Sequence, residues 1–396
     1  MFQDFILNGQ ANGPVADTLA GVRFDPGLLR PYLLPVDGRN LPAFTINTGR
    51  IKTDEKGRLV SVYQQVLAED LSKRGINSPV TNATSLRKED WIHLDQGVIL
   101  AARQRLRAWA DLAAANTFSF PGMSKLTLEY EAQADVGEAV VDYDGLTQGR
   151  NDAPLYKLRS LPLPITHSDF EFSERRLAVS RNTATPLDTT MAEAAGRRVA
   201  EMVEKTTIGV ETGSSYGYQS TGVTAHDSSI GSTVYGYTNY PHRATKTNMV
   251  TPTSSNPNST VDDVLAMRSS LYSNKFYGPF MVYHSTDWDQ FLDNDYAFVN
   301  GTDYGVNPSV TLRERLRKIE GIQDVRRLDF LTSTYTMILV QMTSDVARAV
   351  IGLDLTTVQW EEKGGMKKLF KVMCINVPHL RSDYSGNCGI MHGTTT

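Results

Sequence analysis

The residues of this chain that could do chemistry are seven histidines, two cysteines and a scatter of carboxylates, and their spacing limits what they can do. The histidines are His93, His167, His226, His242, His284, His379 and His392. No two stand at the spacing by which one helix presents two metal ligands, and no His-Glu-x-x-His run occurs. Cys374 and His379 are close in sequence but supply too few ligands for structural zinc. Asp142-Tyr143-Asp144-Gly145 and Asp293-Asn294-Asp295 begin like calcium loops, yet the remaining ligands are missing from both. No phosphate loop is present, and Gly364-Gly365-Met366-Lys367 reads as a hairpin turn. No Gly-x-Ser-x-Gly elbow occurs. The expectation is a chain with no catalytic residues, no cofactor and no metal.

Composition sets the next bounds. The chain has 396 residues, 40% of them hydrophobic and 21% charged, which fits two or three globular units. A net charge of −4 excludes a surface basic all over, as a dedicated nucleic-acid binder would have. Cys374 and Cys388 staple nothing large and fit a reducing compartment, with a disulfide between them as the alternative. The start, MFQDFILNGQ, has no basic region and does not read as a signal peptide. The longest clean apolar run, Met337 to Val340, is far short of the ~20 residues of a membrane span, so no membrane partner is expected.

The elements that must position any site can be read along the chain. Pro14, Pro26, Pro31, Pro35 and Pro42 punctuate the first 50 residues, so neither a long helix nor a central strand is expected there. Phe2, Phe5, Leu28 and Tyr32 still call for burial, so an arm docked on another chain and an arm folded on its own domain both remain open. A short helix is expected near Leu59 to Leu71. Trp91, Leu94, Val98, Ala102, Leu106, Trp109 and Leu112 recur at helical spacing, and that helix ends near Asn116. From Ser124 the period becomes two. Strands at Leu126 to Glu131, Glu138 to Tyr143 and Pro154 to Leu161 frame a charged tip, which makes a long β-hairpin. Two strands alone are marginal in water, so the hairpin must lie on something.

Leu163, Ile165, Phe170 and Phe172 form a further strand. Thr185-Pro186 then opens a second long helix, with Leu187, Met191, Ala194, Ala195, Val199, Met202, Val203 and Thr206 on one face. Residues 211–258 are rich in Gly, Ser, Thr and Tyr and read as an exposed insertion, or as a tyrosine surface for an adjacent subunit. After 259 helices and strands alternate: helices at Val261 to Tyr272, after Ser285 and after Thr311, and strands near Phe280, Ile322, Thr336 and Ala347. A hairpin of Leu355 to Glu361 and Leu369 to Val377 closes the pattern.

The stretch Leu161 to Val210 resembles encapsulin shell proteins and the related major capsid proteins of tailed bacteriophages, which share the Hong Kong 97-type (HK97-like) capsid fold. The resemblance rests on Pro162, Leu163, Phe170, Phe172 and Ser173, then on Leu187, Asp188, Ala194, Ala195 and Glu204 in the long helix. Gly352-Leu353-Asp354-Leu355 is similar to a step in the same proteins, as is Thr311 to Arg326. The implied fold class is α+β. Its parts are an N-terminal arm (1–85), a helix (86–117), an extended hairpin loop (118–165) and a peripheral domain with a spine helix and the insertion (166–258). An axial domain (259–350) and a C-terminal hairpin and tail (351–396) complete it.

The implied function is self-assembly into hexamers and pentamers of a shell around double-stranded DNA. The DNA is touched only weakly and non-specifically, and portal, scaffolding or decoration proteins are further partners. Glu129, Glu131, Asp144, Arg150, Asp152, Lys157 and Arg159 become candidates for ion pairs between subunits, with simple solvation as the alternative. Some relatives crosslink through lysine and asparagine, for which Lys125 and Lys157 are the candidates. A nanocompartment shell, an α/β enzyme in 259–350 and a tail protein are the rival readings.

Overall fold

A computed structural model describes residues 30, 32–36, 39–53, 59–73, 94–96, 98–99, 106–120, 125–133, 143, 156–173, 175, 190–209, 223–224, 233–253, 256, 258–294, 310–331, 335–362 and 366–395. In chain order the elements are β1 (Tyr32–Val36), β2 (Arg39–Thr53), β3 (Leu59–Leu67), α1 (Ala68–Lys73), α2 (Arg107–Ala115), β4 (Thr117–Ser119), β5 (Thr127–Gln133), β6 (Tyr156–Pro162) and β7 (Thr166–Ser173). There follow α3 (Thr190–Ile208), β8 (Val223–Thr224), β9 (Thr233–Val234), β10 (Ala244–Lys246), α4 (Ser259–Ser273), β11 (Phe280–His284), α5 (Asp289–Leu292) and α6 (Leu312–Arg317). The last are β12 (Ile322–Arg327), β13 (Met337–Gln341), β14 (Ala347–Glu362), β15 (Lys367–Leu380) and β16 (Ile390–Gly393). No described helix is long and apolar enough to cross a membrane.

The chain forms two compact units. The first gathers Met1–Leu126, Leu163–Glu204 and Ala349–Val377. Here β1, β2 and β3 make a three-stranded antiparallel sheet with β2 in the middle, a central strand that the proline pattern argues against. The prolines are tolerated because β3 pairs with β2 only from Ala43 onward, which leaves Pro42 bonded on one side. The segment from Leu59 is likewise a strand, not a helix: Val60, Val62 and Val66 alternate in the β-branched pattern of a sheet, and only α1 is helical. Phe44, Ile46, Val66 and Leu71 bury together in this region. A second sheet runs β4-β14-β15-β7, and Phe170, Phe172 and Phe370 pack ring against ring on it. The two strands expected on either side of Gly352 are one strand, β14. Gly352 is needed there because a Cβ would sit 2.4 Å from the Phe120 ring.

The spine helix α3 buries a face rotated from the one expected. Ala195, Val199 and Val203 are inside as expected, joined by Ala192 and Ala200, while Met191 and Met202 are exposed. Small residues win because they allow close approach: a Cβ on Gly196 would meet Val98 at 2.8 Å. The expected cap at Thr185-Pro186 lies outside the described residues.

The second unit holds Thr127–Pro162, Lys205–Arg348 and Pro378–Thr396. Its five-stranded sheet runs β10-β16-β13-β11-β12, parallel at β10/β16 and β11/β12 and antiparallel between. The inner strands β11 and β13 are buried along their whole length, as near-continuous apolar runs require. Val264, Met267 and Leu271 of α4 and Leu312 and Leu316 of α6 pack on Val282, Leu339 and Met391. Thr311 caps α6 as expected, its hydroxyl accepting from the Glu314 N–H. The C-terminal segment, which reads as a tail in the sequence, returns as β16 and fills a place inside this sheet.

The described part of the insertion is also structural. Tyr237 and Tyr240 are buried, against the expectation of an exposed loop. Tyr237 and Thr238 donate to the last carbonyls of α3, at Thr207 and Ile208, and so close the helix end.

Candidate functional site

β5 and β6 pair in strict antiparallel register, Tyr130 opposite Arg159 and Glu129 opposite Ser160. Strand alternation then gives this ribbon two unlike faces. Leu128, Tyr130, Arg159 and Leu161 lie on one, Glu129, Glu131 and Leu158 on the other. Exposure follows the alternation: Glu129 and Glu131 are exposed, Leu158 is 65% exposed, and Leu161 is buried.

The aromatic and cationic face borders an open groove of about 390 Å³ lined by Tyr130, Arg159, Tyr235, Tyr240, His242 and Pro378, among others. The Arg159 guanidinium donates to the Ser382 hydroxyl. The Arg381 guanidinium lies 5.8 Å from the centre of the Tyr130 ring. His379 meets the same ring edge-on at 4.4 Å, is 2% exposed, and has no hydrogen bond to either ring nitrogen. Burial, then Arg381 and Arg348, push its pKa down to about 3, so it is neutral. Burial and Arg381 also lower the pKa of Arg348, with Asp345 acting the other way. Among the described residues no carboxylate pairs directly with Arg159, Arg348 or Arg381. The groove is an electropositive, aromatic surface with hydroxyl groups, fit to receive an anion.

A second set of charges pairs among itself. Asp289 accepts from Arg313 and Arg327, and Arg313 also reaches Asp293. His284 is fully buried beside this set, its Nδ1 3.0 Å from the Ser285 carbonyl, and burial lowers its pKa. Cys374 and Cys388 are free and buried, each pushed up to about 12 mainly by burial, so both are inert thiols and the alternative of a disulfide is not realised. Among the described residues no three metal-ligating side chains converge.

One buried acid stands apart. Glu204 of α3 is 2% exposed and accepts backbone N–H groups from Ala108 (2.7 Å) and Trp109 (3.1 Å), in the first turn of α2. It explains a break in the expected helix through Trp91 to Leu112. Leu106 has φ −93° and ψ 78°, outside helical values, and α2 starts afresh at Arg107. Leucine is a poor N-cap, so the open N–H groups are met by this distant carboxylate instead.

Of the expected contact residues, Glu129, Glu131 and Arg159 lie on the described hairpin, the two acids on the face opposite the arginine. Lys157 pairs in register with Ala132. Asp144, Arg150 and Asp152 fall outside the described residues. So does the strand expected at Glu138 to Tyr143, apart from Tyr143 itself, which is exposed. Arg348 and Arg381 are site residues that sequence reasoning misses, while Glu204 and His379 enter it only as a mark of the resemblance and as a metal ligand short of partners. Glu204 carries a signal: it sits among Ala200, Val203 and Thr207, a charged residue on an apolar helical face. Arg348 and Arg381 carry none, since only the fold brings them together.

A profile described as a family of unknown function, DUF6260, matches residues 81–393. No curated protein matches the chain. Among solved structures, the virus-like particle from Pyrococcus furiosus aligns with a TM-score of 0.50 at 14% identity, over 78% of this chain and 99% of that one. The capsid of Myoviridae Phage XM1 aligns with a TM-score of 0.50 at 12% identity, over 71% and 90%. At such identities the likeness establishes the fold. The fold is the α+β, HK97-like capsid fold that the Leu161 to Val210 stretch led one to expect.

Proposed function

The chain belongs to the DUF6260 family of unknown function, and from its fold we propose that it is the major capsid protein of a tailed bacteriophage, a structural subunit rather than an enzyme. One observation carries the reading: nearly the whole subunit of a virus-like particle, 99% of it, is matched by this chain.

In this reading copies of the chain close into hexamers and pentamers, and the shell encloses double-stranded DNA that it touches weakly and non-specifically. Its place is the virion, after assembly in the host cytoplasm, and portal, scaffolding or decoration proteins are its other partners. Glu129, Glu131, Asp144, Arg150, Asp152, Lys157 and Arg159 are proposed contacts between copies. The match to the particle from Pyrococcus furiosus also favours a second reading, a nanocompartment shell that holds a protein cargo.

The test is to express the chain alone, and beside its neighbouring genes, and to image the product by negative-stain electron microscopy. Closed shells of uniform size are the expected result, and their diameter separates a genome-sized head from a small compartment. Stable monomers under all salt and protein concentrations would remove the capsid reading.

A further inference from the structure

The two faces of the β5–β6 ribbon have opposite character, and among the described residues of the second unit Arg159, Arg348 and Arg381 make no direct ion pair with a carboxylate. Glu129 and Glu131 project to solvent with the exposed Leu158 opposite Glu131 across the ribbon. On the other side Arg159 lines the groove and Arg381 covers the Tyr130 ring. Arg348 adjoins them, through the hydrogen bond from Arg381 N–H to the Val346 carbonyl and through its repulsion with Arg381. The carboxylates near this set are Asp345, which adjoins Arg348, and Asp383, which turns back to cap Asn387 N–H. Like charges held this close are costly, and an incoming anion relieves that cost.

We propose that the Glu129/Glu131 face of one copy docks beside this groove on a second copy, where Arg159 lines the groove and Arg348 and Arg381, next to it, are the cations that receive the acids. This rests on the reading of the chain as a shell subunit. A surface that carries its own complement on a different face makes a head-to-tail contact, which closes into rings when the rotation allows. Each exposed pair contributes little alone, so the pairs set register and partner face, and repetition around a ring supplies the strength. Leu158 beside the acids adds an apolar contact that water otherwise covers.

The experiment is a charge exchange. One variant carries Glu129→Lys and Glu131→Lys, a second carries Arg348→Glu and Arg381→Glu, and a third carries all four. Assembly is read by light scattering and sedimentation, and folding by circular dichroism and thermal unfolding of the unassembled chains. Each double reversal is expected to raise the concentration needed for assembly by about tenfold or more. The fourfold variant is expected to recover most of that loss. The two double variants, mixed, are expected to co-sediment although neither assembles alone, because the lysines introduced in one then meet the acids introduced in the other. Recovery in the mixture also shows that both chains are folded. Milder changes, Glu→Gln and Arg→Gln at the same positions, serve if a reversal does not fold.

Two results would overturn the docking. Either double variant could assemble like the wild type; a silent glutamate reversal beside a blocking arginine reversal would give the groove another occupant. The mixture could stay apart while both chains are folded. In each of these the wild type still forms shells, so the capsid reading stands. If the wild type forms none, it is that reading which fails.

Discussion

Glu204 shows how one residue can tie pH to stability. Burial raises its pKa to about 7 from an ordinary value of 4.5, and the N–H groups of Ala108 and Trp109 offset that only in part. Asp111 in the same helix pushes the same way as burial. The folded chain therefore binds a proton that the unfolded chain releases between these two values. That contribution to stability is complete below pH 4.5 and is lost as pH rises through 7. Its size, at ~1.4 kcal/mol per pKa unit, is on the order of 2–3 kcal/mol between pH 5 and pH 8. Buried His379 and His392 act with the opposite sign. Their pKa values fall to about 3 and about 4, so they remove stability as pH drops below 6.5. Comparing wild type with Glu204→Gln isolates the acid. The histidines act alike in both proteins, so from pH 5 to pH 8 the wild type should lose stability relative to the variant, which has no proton to release, by that amount. Chemical unfolding of unassembled chain at the two pH values reads the difference. Equal slopes would mean that Glu204 stays ionised in the fold.

At the scale of elements, the junction of α3 with the strand after it depends on two glycines. Gly209 follows α3 with φ +94°, a left-handed value that glycine adopts at little cost. Gly236 approaches it so closely that a Cβ would lie 2.2 Å from the Gly209 nitrogen and 2.6 Å from the Thr206 carbonyl. Both neighbours are backbone and cannot rotate away. Gly236→Ala should therefore displace the β9 segment from the helix end and cost about 3 kcal/mol, near the upper end for overpacking. The urea midpoint of unfolding measures it, and a loss under about 0.5 kcal/mol, the range of a neutral surface change, would show that the junction yields.

The same junction marks where sequence reading stops. The helix α4 was legible because burial writes its period into the residues, and β11 and β13 because a short unbroken apolar run reads as a strand buried on both faces. The opposition of Glu129 and Arg159 was not, because it depends on the register of β5 with β6 and not on alternation within either strand. The central strand β2 was not legible, because proline argues against it locally and only the register with β3 excuses Pro42. The burial of Tyr237 and Tyr240 was hidden too, since a Gly/Ser/Thr/Tyr stretch reads the same whether it caps a helix or hangs in water. Arg348 and Arg381 meet only through folding, so no local pattern could join them.

For the whole molecule, two electrostatic effects compete during assembly, and salt separates them. Each copy carries a net charge of −4, which repels its neighbours. At centre spacings of about 45 Å, reasonable for a chain of this length, that repulsion is already screened at ~0.1 M salt, where the Debye length is about 10 Å. Pairs in contact are different. At ~4 Å and an effective dielectric near ~20, opposite charges attract by about 4 kcal/mol before desolvation. Added salt weakens that attraction while leaving little net repulsion to relieve. If Glu129 and Glu131 meet arginines between copies, raising sodium chloride from about 0.1 to about 0.5 M should raise the concentration needed for assembly. Glu129→Gln with Glu131→Gln should flatten that dependence. Assembly that instead improves with salt, equally in both proteins, would assign the contact to apolar surface such as Leu158 and leave the charges a passive role.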